Sequence, residues 1–328
     1  MRKDLKLGIA SKAGVLHHYK DTPISLEDWF KEIAQSKTFD YVDKTPPKSE
    51  FHRFKKLSEK YDLPILSSGW FYLLGKEDDL ILENLKMGAE LGSKYHNVQI
   101  FINHADGHPL SDQEVADTYM KVTEYGEKVG CLPCFEIHIN MWSEDFLRIN
   151  SVAKIVKDQG YTFRMNLDHS HIIFKMNNPE EMAMFDLEEQ LKENKIILDP
   201  FQEGNIAQHW IDEGYVWLMH ARSAVPNNPK NIGGKHPDGS IGRGVQYPFI
   251  KPLEGQYHAD WHEEKLEPWK EIVRNVIKNH YTNDNSSLEC ISTEFIPNTD
   301  YGEGSTYSLY DNASACAEWI RSEIKKIK

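Results

Sequence analysis

Four side chains frame the chemistry this chain could do. Glu136, Asp168, His220 and Glu294 each stand within or at the end of a short apolar run. Three carboxylates and one imidazole make a hard, mostly oxygen donor set, better suited to Mn²⁺, Mg²⁺ or Co²⁺ than to structural zinc. Carboxylates brought together in a protein interior without a counter-charge are costly, and a divalent cation is the natural way to neutralise them. Taken singly, each residue has a plainer reading. Glu136 could sit in a buried salt bridge, Asp168 could cap a turn, His220 could be a satisfied core histidine, and Glu294 could lie on the surface. Their recurrence at four successive strand ends favours a shared metal site.

Further candidates stand close by in the chain. His138 lies two residues past Glu136 and so faces the same side of a strand, as a donor to the site or a general base. Proton transfer is therefore assigned to His138, Glu136 and Glu294. His171 lies three residues past Asp168, Arg222 two past His220, and His104 follows Asn103 at the end of another apolar run. These three are candidate substrate contacts, and His17-His18 is a weaker one.

The elements that must position these groups alternate in type. Short apolar runs read as strands at Leu5–Ser11, Phe39–Asp43, Pro64–Ser68, Val98–Ile102, Pro133–Ile139, Thr162–Leu167, Val216–His220 and Glu289–Glu294. Amphipathic runs between them read as helices, including Ser25–Ser36, Glu50–Tyr61, Asp78–Leu91, Ser111–Val129, Glu144–Asp158 and Asn312–Ile327. Ser25 and Ser111 are N-caps, and Gly92 and Gly130 close helices. This succession of strand–helix units, with no break in composition, predicts one closed (β/α)₈ TIM barrel over residues 1–328. In such a barrel the C-terminal strand ends carry the active site, which is where the four candidate ligands fall. Two stretches, 175–211 and 221–264, exceed what a bare barrel needs and start on that face. They read as functional loops.

Composition narrows the class. Hydrophobic residues make up 40% and charged residues 27%, which suits a folded soluble chain. The net charge of −13 disfavours a nucleic-acid partner. No apolar run is long enough to span a membrane. The first residues, Met1-Arg-Lys-Asp-Leu-Lys-Leu7, contain no apolar secretory core, so a cytoplasmic location is expected. Cys131 and Cys134 form a C-x-x-C, but Cys134 enters an apolar strand, so buried thiols are expected rather than a redox pair.

The pattern of Glu136, Asp168 with His171, His220 with Arg222, and Glu294 resembles that of the xylose isomerase-like barrel superfamily of sugar isomerases, epimerases and related enzymes. A narrower similarity lies in Asp168-His-Ser-His-Ile-Ile-Phe174, Pro226-Asn-Asn-Pro-Lys-Asn231, His236-Pro-Asp-Gly-Ser-Ile-Gly-Arg-Gly244 and Ile291-Ser-Thr-Glu-Phe-Ile-Pro-Asn-Thr-Asp-Tyr-Gly-Glu-Gly304. These runs resemble the larger (alpha) subunit of bacterial C-glycoside deglycosidases. The resemblance implies manganese held by Glu136, Asp168, His220 and Glu294, His138 as base, a 3-oxo-C-glucoside substrate, and a small beta-type partner subunit.

The chemistry is coherent in its own terms. A carbonyl at C3 of a sugar acidifies the hydrogen at C2, a cation stabilises the enolate, and a base removes the proton. Return of a proton on the other face is epimerisation, return to another carbon is isomerisation, and departure of the C1 substituent is elimination. His236, Tyr247, Tyr257, His258, Trp261 and His262 in the loop after the seventh strand could bed a flat aglycone. The expectation is therefore a metal-dependent carbon–carbon lyase, with a sugar isomerase or epimerase as the alternative.

Overall fold

In the computed structural model of the chain, which describes residues 4–17 and 23–328, eight parallel strands pair in chain order and close on themselves. They are β1 (Lys6–Ala10), β2 (Tyr41–Asp43), β3 (Ile65–Tyr72), β4 (Tyr95–Ile100), β5 (Leu132–Glu136), β6 (Met165–Asp168), β7 (Val216–Ala221) and β8 (Cys290–Glu294). One main helix follows each strand: α1 (Leu26–Ser36), α2 (Phe51–Tyr61), α3 (Asp78–Leu91), α4 (Asp112–Val129), α5 (Phe146–Asp158), α6 (Ile206–Asp212), α7 (Glu267–Thr282) and α8 (Leu309–Ile327). The caps are those the sequence indicates. Ser25 accepts from the Asp28 N–H, Ser111 and Glu114 form a capping box, and Gly92 and Gly130 take the left-handed conformation that ends α3 and α4. Among the described residues no helix is long and apolar enough to cross a membrane.

Strand periodicity explains how this frame makes a site. Tyr41, Tyr95, Cys134, Leu218 and Cys290 form a small apolar cluster separate from the main core, the plug inside the barrel. Alternate residues of a strand share a face. Two positions further along the same five strands come Asp43, Asn97, Glu136, His220 and Ser292, and Asp168 faces His220 in the β6–β7 register. An apolar layer is thus followed by a polar one, and Glu294 adds a further step along β8.

That layering explains one of two displaced boundaries. β4 begins three residues before the expected Val98, because Asn97 and Gln99 interrupt the apolar run while pointing inward. β3 runs on to Tyr72, beyond the expected Ser68, because its pairing with β4 continues from Ser67–Tyr95 to Tyr72–Ile100. The long stretches also resolve. Residues 175–211 are not all loop: they hold short helices at Pro179–Met182 and Leu187–Lys192, and α6 completes the sixth barrel unit. At seven residues α6 is too short to show a helical period in sequence. Cys131 and Cys134 are buried free thiols, and burial pushes Cys131 up to about 12.

One packing contact sets the sign of a mutation. A Cβ on Gly126 of α4 would meet the Cys131 carbonyl oxygen at 2.5 Å and Pro133 Cδ at 2.8 Å. Alanine normally favours a helix over glycine by about 1 kcal/mol. Here the overlap costs about 1–3 kcal/mol, so Gly126→Ala is expected to lower the denaturant midpoint. A variant at least as stable as the parent would contradict the close packing of α4 on β5.

Candidate metal centre

Glu136, Asp168, His220 and Glu294 converge: one donor atom from each lies within 4.8 Å of all the others. His220 sits at the middle. Its Nδ1 is 2.9 Å from Glu136 Oε1 and 3.0 Å from Glu294 Oε2, yet this buried nitrogen makes no hydrogen bond. A ring nitrogen this close to two carboxylate oxygens, in hydrogen-bond geometry with neither, is what a cation position looks like from the protein side, and the donor set fits a hard divalent ion.

The surroundings hold each group in place. Glu136 Oε2 accepts from Asn97 Nδ2 at 2.7 Å and from Gln99 Nε2, and Oε1 accepts from Asn166 Nδ2 at 3.1 Å. Asp168 Oδ1 accepts from the Ser170 hydroxyl at 2.5 Å and the Ser170 N–H at 3.1 Å. Arg222 donates to Asp168 at 3.3 Å and to Glu294 at 2.6 Å, and its guanidinium lies 4.0 Å from the Tyr301 ring centroid. On the far side of His220, Nε2 is 3.1 Å from Asp43 Oδ2, which also accepts from the Ser292 hydroxyl at 2.7 Å. A carboxylate behind a ligating imidazole fixes the tautomer and the ring plane.

Charge follows this geometry. Burial alone would raise Asp168 and Glu294, but His171, Arg222 and His220 hold Asp168 well below the usual carboxylate range, and Arg222 and His220 lower Glu294. Burial would lower His220, but Glu294, Glu136 and Asp43 lift it well above its ordinary value.

His138 stands just past β5. Its Nδ1 is 2.6 Å from the Ile139 carbonyl oxygen and its Nε2 is 2.7 Å from the Tyr301 hydroxyl. A carbonyl can only accept, so Nδ1 carries the proton and the Nε2 lone pair receives the Tyr301 O–H. Burial, then His171, pushes His138 below its ordinary range and keeps it neutral.

These groups adjoin a cavity of about 770 Å³, lined among others by Asp43, His138, His220, Arg222 and Glu294. Its size falls in the range of sites for small organic ligands. Lys44 also lines it and donates to the Ser11 carbonyl at 3.1 Å; burial lowers its pKa.

Three groups of expected substrate contacts are placed differently from expectation. His104 does not line the cavity. It sits in a tight turn, pairs with Asp106 at 3.1 Å, and stacks on His108 with centroids 4.8 Å apart. His171 does not line the cavity either, because the chain after β6 turns at once into a short helix, Ser170–Ile173. Its buried ring lies 4.6 Å from His138 and 3.3 Å from Asp168 Oδ2, so it supports both. Of the loop residues expected to bed an aglycone, only His236 lines the cavity. Tyr247 packs on Tyr257, Tyr257 on Tyr307, and Trp261 donates to the Pro248 carbonyl, which joins the loop to the main core. The aromatic surface at the cavity is instead Trp70, Phe71 and Phe101. Trp70 and Phe71 are 40% and 44% exposed and stack at 4.8 Å. His17 bonds to Ser308 away from the cavity lining, and His18 lies outside the described residues.

Asp43, Asn97, Gln99, Asn166 and Tyr301 are site residues that the sequence reading misses. A signal for Asp43 exists: it is a carboxylate ending the run Tyr41-Val-Asp43, just as Asp168 ends its own.

No protein-family model matches the chain, and no curated protein sequence matches it. Solved structures do match. D-allulose 3-epimerase from Methylomonas sp. gives a TM-score of 0.55 at 13% identity, covering 97% of this chain and 98% of that one. D-psicose 3-epimerase from Clostridium cellulolyticum H10 gives 0.54 at 12%, covering 98% and 99%. A xylose isomerase-like TIM barrel protein from Mycobacterium smegmatis, in complex with magnesium, gives 0.52 at 11%, covering 99% and 98%. The fold is thus a (β/α)₈ barrel like that of these structures.

Proposed function

We propose that this chain is a divalent-cation-dependent enzyme that moves a proton on a carbon next to the carbonyl of a keto-sugar, as an isomerase or epimerase. The observation that carries the reading is the four-donor centre around the unpartnered His220 Nδ1, placed beside a cavity histidine whose tautomer is fixed. The epimerases among the similar barrels support it. Glu136, Asp168, His220 and Glu294 would hold the ion, and Mn²⁺, Mg²⁺ and Co²⁺ all suit the donors. When bound there, a divalent cation supplies stabilisation of negative charge on a substrate oxygen.

The chain's own residues do the rest. A substrate that displaces the Tyr301 hydroxyl from His138 frees the Nε2 lone pair to take a proton from carbon. His171, packed against His138, fixes the ring from behind. Arg222 is committed to Asp168 and Glu294 and keeps both ionised. Asp43 keeps the His220 ring aimed.

A second reading is favoured by the exposed stacked pair Trp70–Phe71 beside Phe101. A flat group on C1 of a 3-oxo-glucoside could lie against these rings, and its loss after proton abstraction would make the chain a carbon–carbon lyase. That reading carries with it a small beta-type partner subunit and manganese.

NMR in D₂O with Mg²⁺-loaded protein separates the two. On D-psicose or a 3-oxo-glucoside, deuterium appearing at the carbon next to the carbonyl, with the sugar otherwise intact, is the expected result. Release of the C1 substituent instead would replace the first reading with the second. Absence of both, in protein shown to hold its ion, would remove the proton-transfer assignment.

A further inference from the structure

Asp300 and Tyr301 are consecutive, and each holds one cavity histidine. Tyr301 Oη is 2.7 Å from His138 Nε2, and Asp300 Oδ1 is 2.8 Å from His236 Nε2. All four residues line the same cavity. The histidines come from different elements, His138 just after β5 and His236 in a tight hairpin bridged at Lys235 and Ile241, in the loop after β7.

The hairpin is built rather than merely solvated. The His236 N–H donates to the Ser240 carbonyl and the Gly239 N–H to the His236 carbonyl, both at 2.9 Å. A Cβ on Gly242 would fall 1.7 Å from the Thr299 carbonyl oxygen, so the hairpin lies directly on the segment that carries Asp300. Asp300 is only 8% exposed, and it accepts the Arg243 N–H at 3.0 Å on the same oxygen that faces His236. The Arg243 guanidinium is anchored in turn by the buried carboxylates of Glu144 and Glu181. Asp300 Oδ1 already accepts the Arg243 N–H, so His236 Nε2 is the donor in its contact with the same oxygen, and Nδ1 is the remaining exchangeable position. A histidine oriented by a buried carboxylate is the arrangement of a working acid or base.

Inverting a carbon needs a proton taken from one face and another delivered to the opposite face, which a single fixed base does not do without the substrate turning over. We propose that His236, oriented by Asp300, is the second proton-transfer residue of this site, paired with His138. The inference rests on the isomerase or epimerase reading. In one direction His138 Nε2 accepts the proton from carbon, and the C–H electron pair enters the enolate. The His236 imidazolium then delivers its Nδ1 proton to that carbon and becomes neutral. The reverse direction exchanges the roles, and both histidines re-equilibrate with water between turnovers.

The test compares net interconversion with isotope exchange, starting separately from each epimer in D₂O. His236→Gln is expected to slow interconversion by about 10²-fold or more. It should still wash the substrate hydrogen into solvent within a few-fold of the parent rate, from the one epimer whose proton His138 removes. His138→Gln should show the mirror image, with exchange surviving only from the other epimer. Asp300→Asn should slow interconversion with the same epimer bias, more mildly than His236→Gln. A His236→Gln protein that interconverts the epimers at the parent rate overturns the inference and leaves the functional reading intact. So does one that loses exchange equally from both epimers while keeping the parent melting temperature and ion content. A parent protein that exchanges no keto-sugar hydrogen overturns both.

Discussion

Glu136→Gln is expected to lower turnover by at least about 10³-fold, equivalent to roughly 4 kcal/mol, and to leave the purified protein unable to hold a divalent ion stoichiometrically. The substitution is isosteric, so the effect is chemical. Three amides donate to this carboxylate, Asn97 and Gln99 to Oε2 and Asn166 to Oε1, with His220 Nδ1 beside Oε1. A carboxylate offers acceptor sites on both oxygens, whereas a carboxamide turns one end into a donor. Whichever way the introduced amide is flipped, its NH₂ faces N–H groups that lose their acceptor. Each buried donor left unpaired costs about 1–3 kcal/mol. The lost negative charge is also one of the three that make the centre attractive to a cation. Ion content by mass spectrometry after gel filtration, beside the steady-state rate, checks both halves. A variant that holds one ion per chain and turns over near the parent rate would remove Glu136 from the centre.

The four ligand-type residues are legible in sequence because each is an ionisable group in an apolar run, a combination that a strand tolerates only when the group is paired. Their convergence follows from the barrel, since inward positions two apart on β5, β7 and β8 lead from Cys134, Leu218 and Cys290 to Glu136, His220 and the Ser292–Glu294 pair. What supports the ligands is less visible. Asn97, Gln99 and Asn166 are neutral amides, which read as ordinary polar interruptions, the first two displacing the apparent start of β4, yet together they donate to both oxygens of Glu136. Chain proximity to a strand end also misleads when the backbone reverses at once. The turn after β4 folds His104 against Gly75, where a Cβ would lie 2.2 Å from its ring, and the short helix after β6 tucks His171 behind His138. The aromatic residues of 221–264 turn into the main core, Tyr257 against Tyr307 and Phe249 against Trp269 and Trp319, because a long segment with little regular structure must bury something to hold its shape. Its glycines serve the same end. A Cβ on Gly233 would meet Gly304 Cα at 2.2 Å, so two loop backbones touch where no side chain fits. A one-dimensional pattern records that such residues are present but not which distant segment they meet.

Asp43 is the sharpest case of a site residue outside the apparent ligand set, and Asp43→Ala is expected to weaken divalent-ion binding by about 10- to 100-fold, the range for losing the carboxylate behind a ligating histidine. The residue ends the three-residue β2 and is buried, where burial alone would raise its pKa; the hydrogen bond and charge of His220 outweigh this and hold it lowered. It is therefore ionised at neutral pH and accepts from His220 Nε2, which leaves Nδ1 as the nitrogen turned towards Glu136 and Glu294. Alanine removes the acceptor, frees the ring to rotate and to exchange tautomers, and leaves a buried Nε2 without a partner. The Ser292 hydroxyl loses an acceptor too, but it keeps Tyr41 Oη at 2.7 Å, so the barrel interior does not lose all its pairing at that level. Asp43→Asn separates orientation from charge. Its Oδ1 can still accept from Nε2 in one flip state, so a loss much smaller than that of Asp43→Ala assigns most of the effect to aiming the ring. Equal losses in the two variants would assign it to the charge of the carboxylate. Competition against a chromophoric chelator gives the dissociation constants directly, and an unchanged affinity in Asp43→Ala would mean that His220 is aimed by its neighbours in the barrel alone.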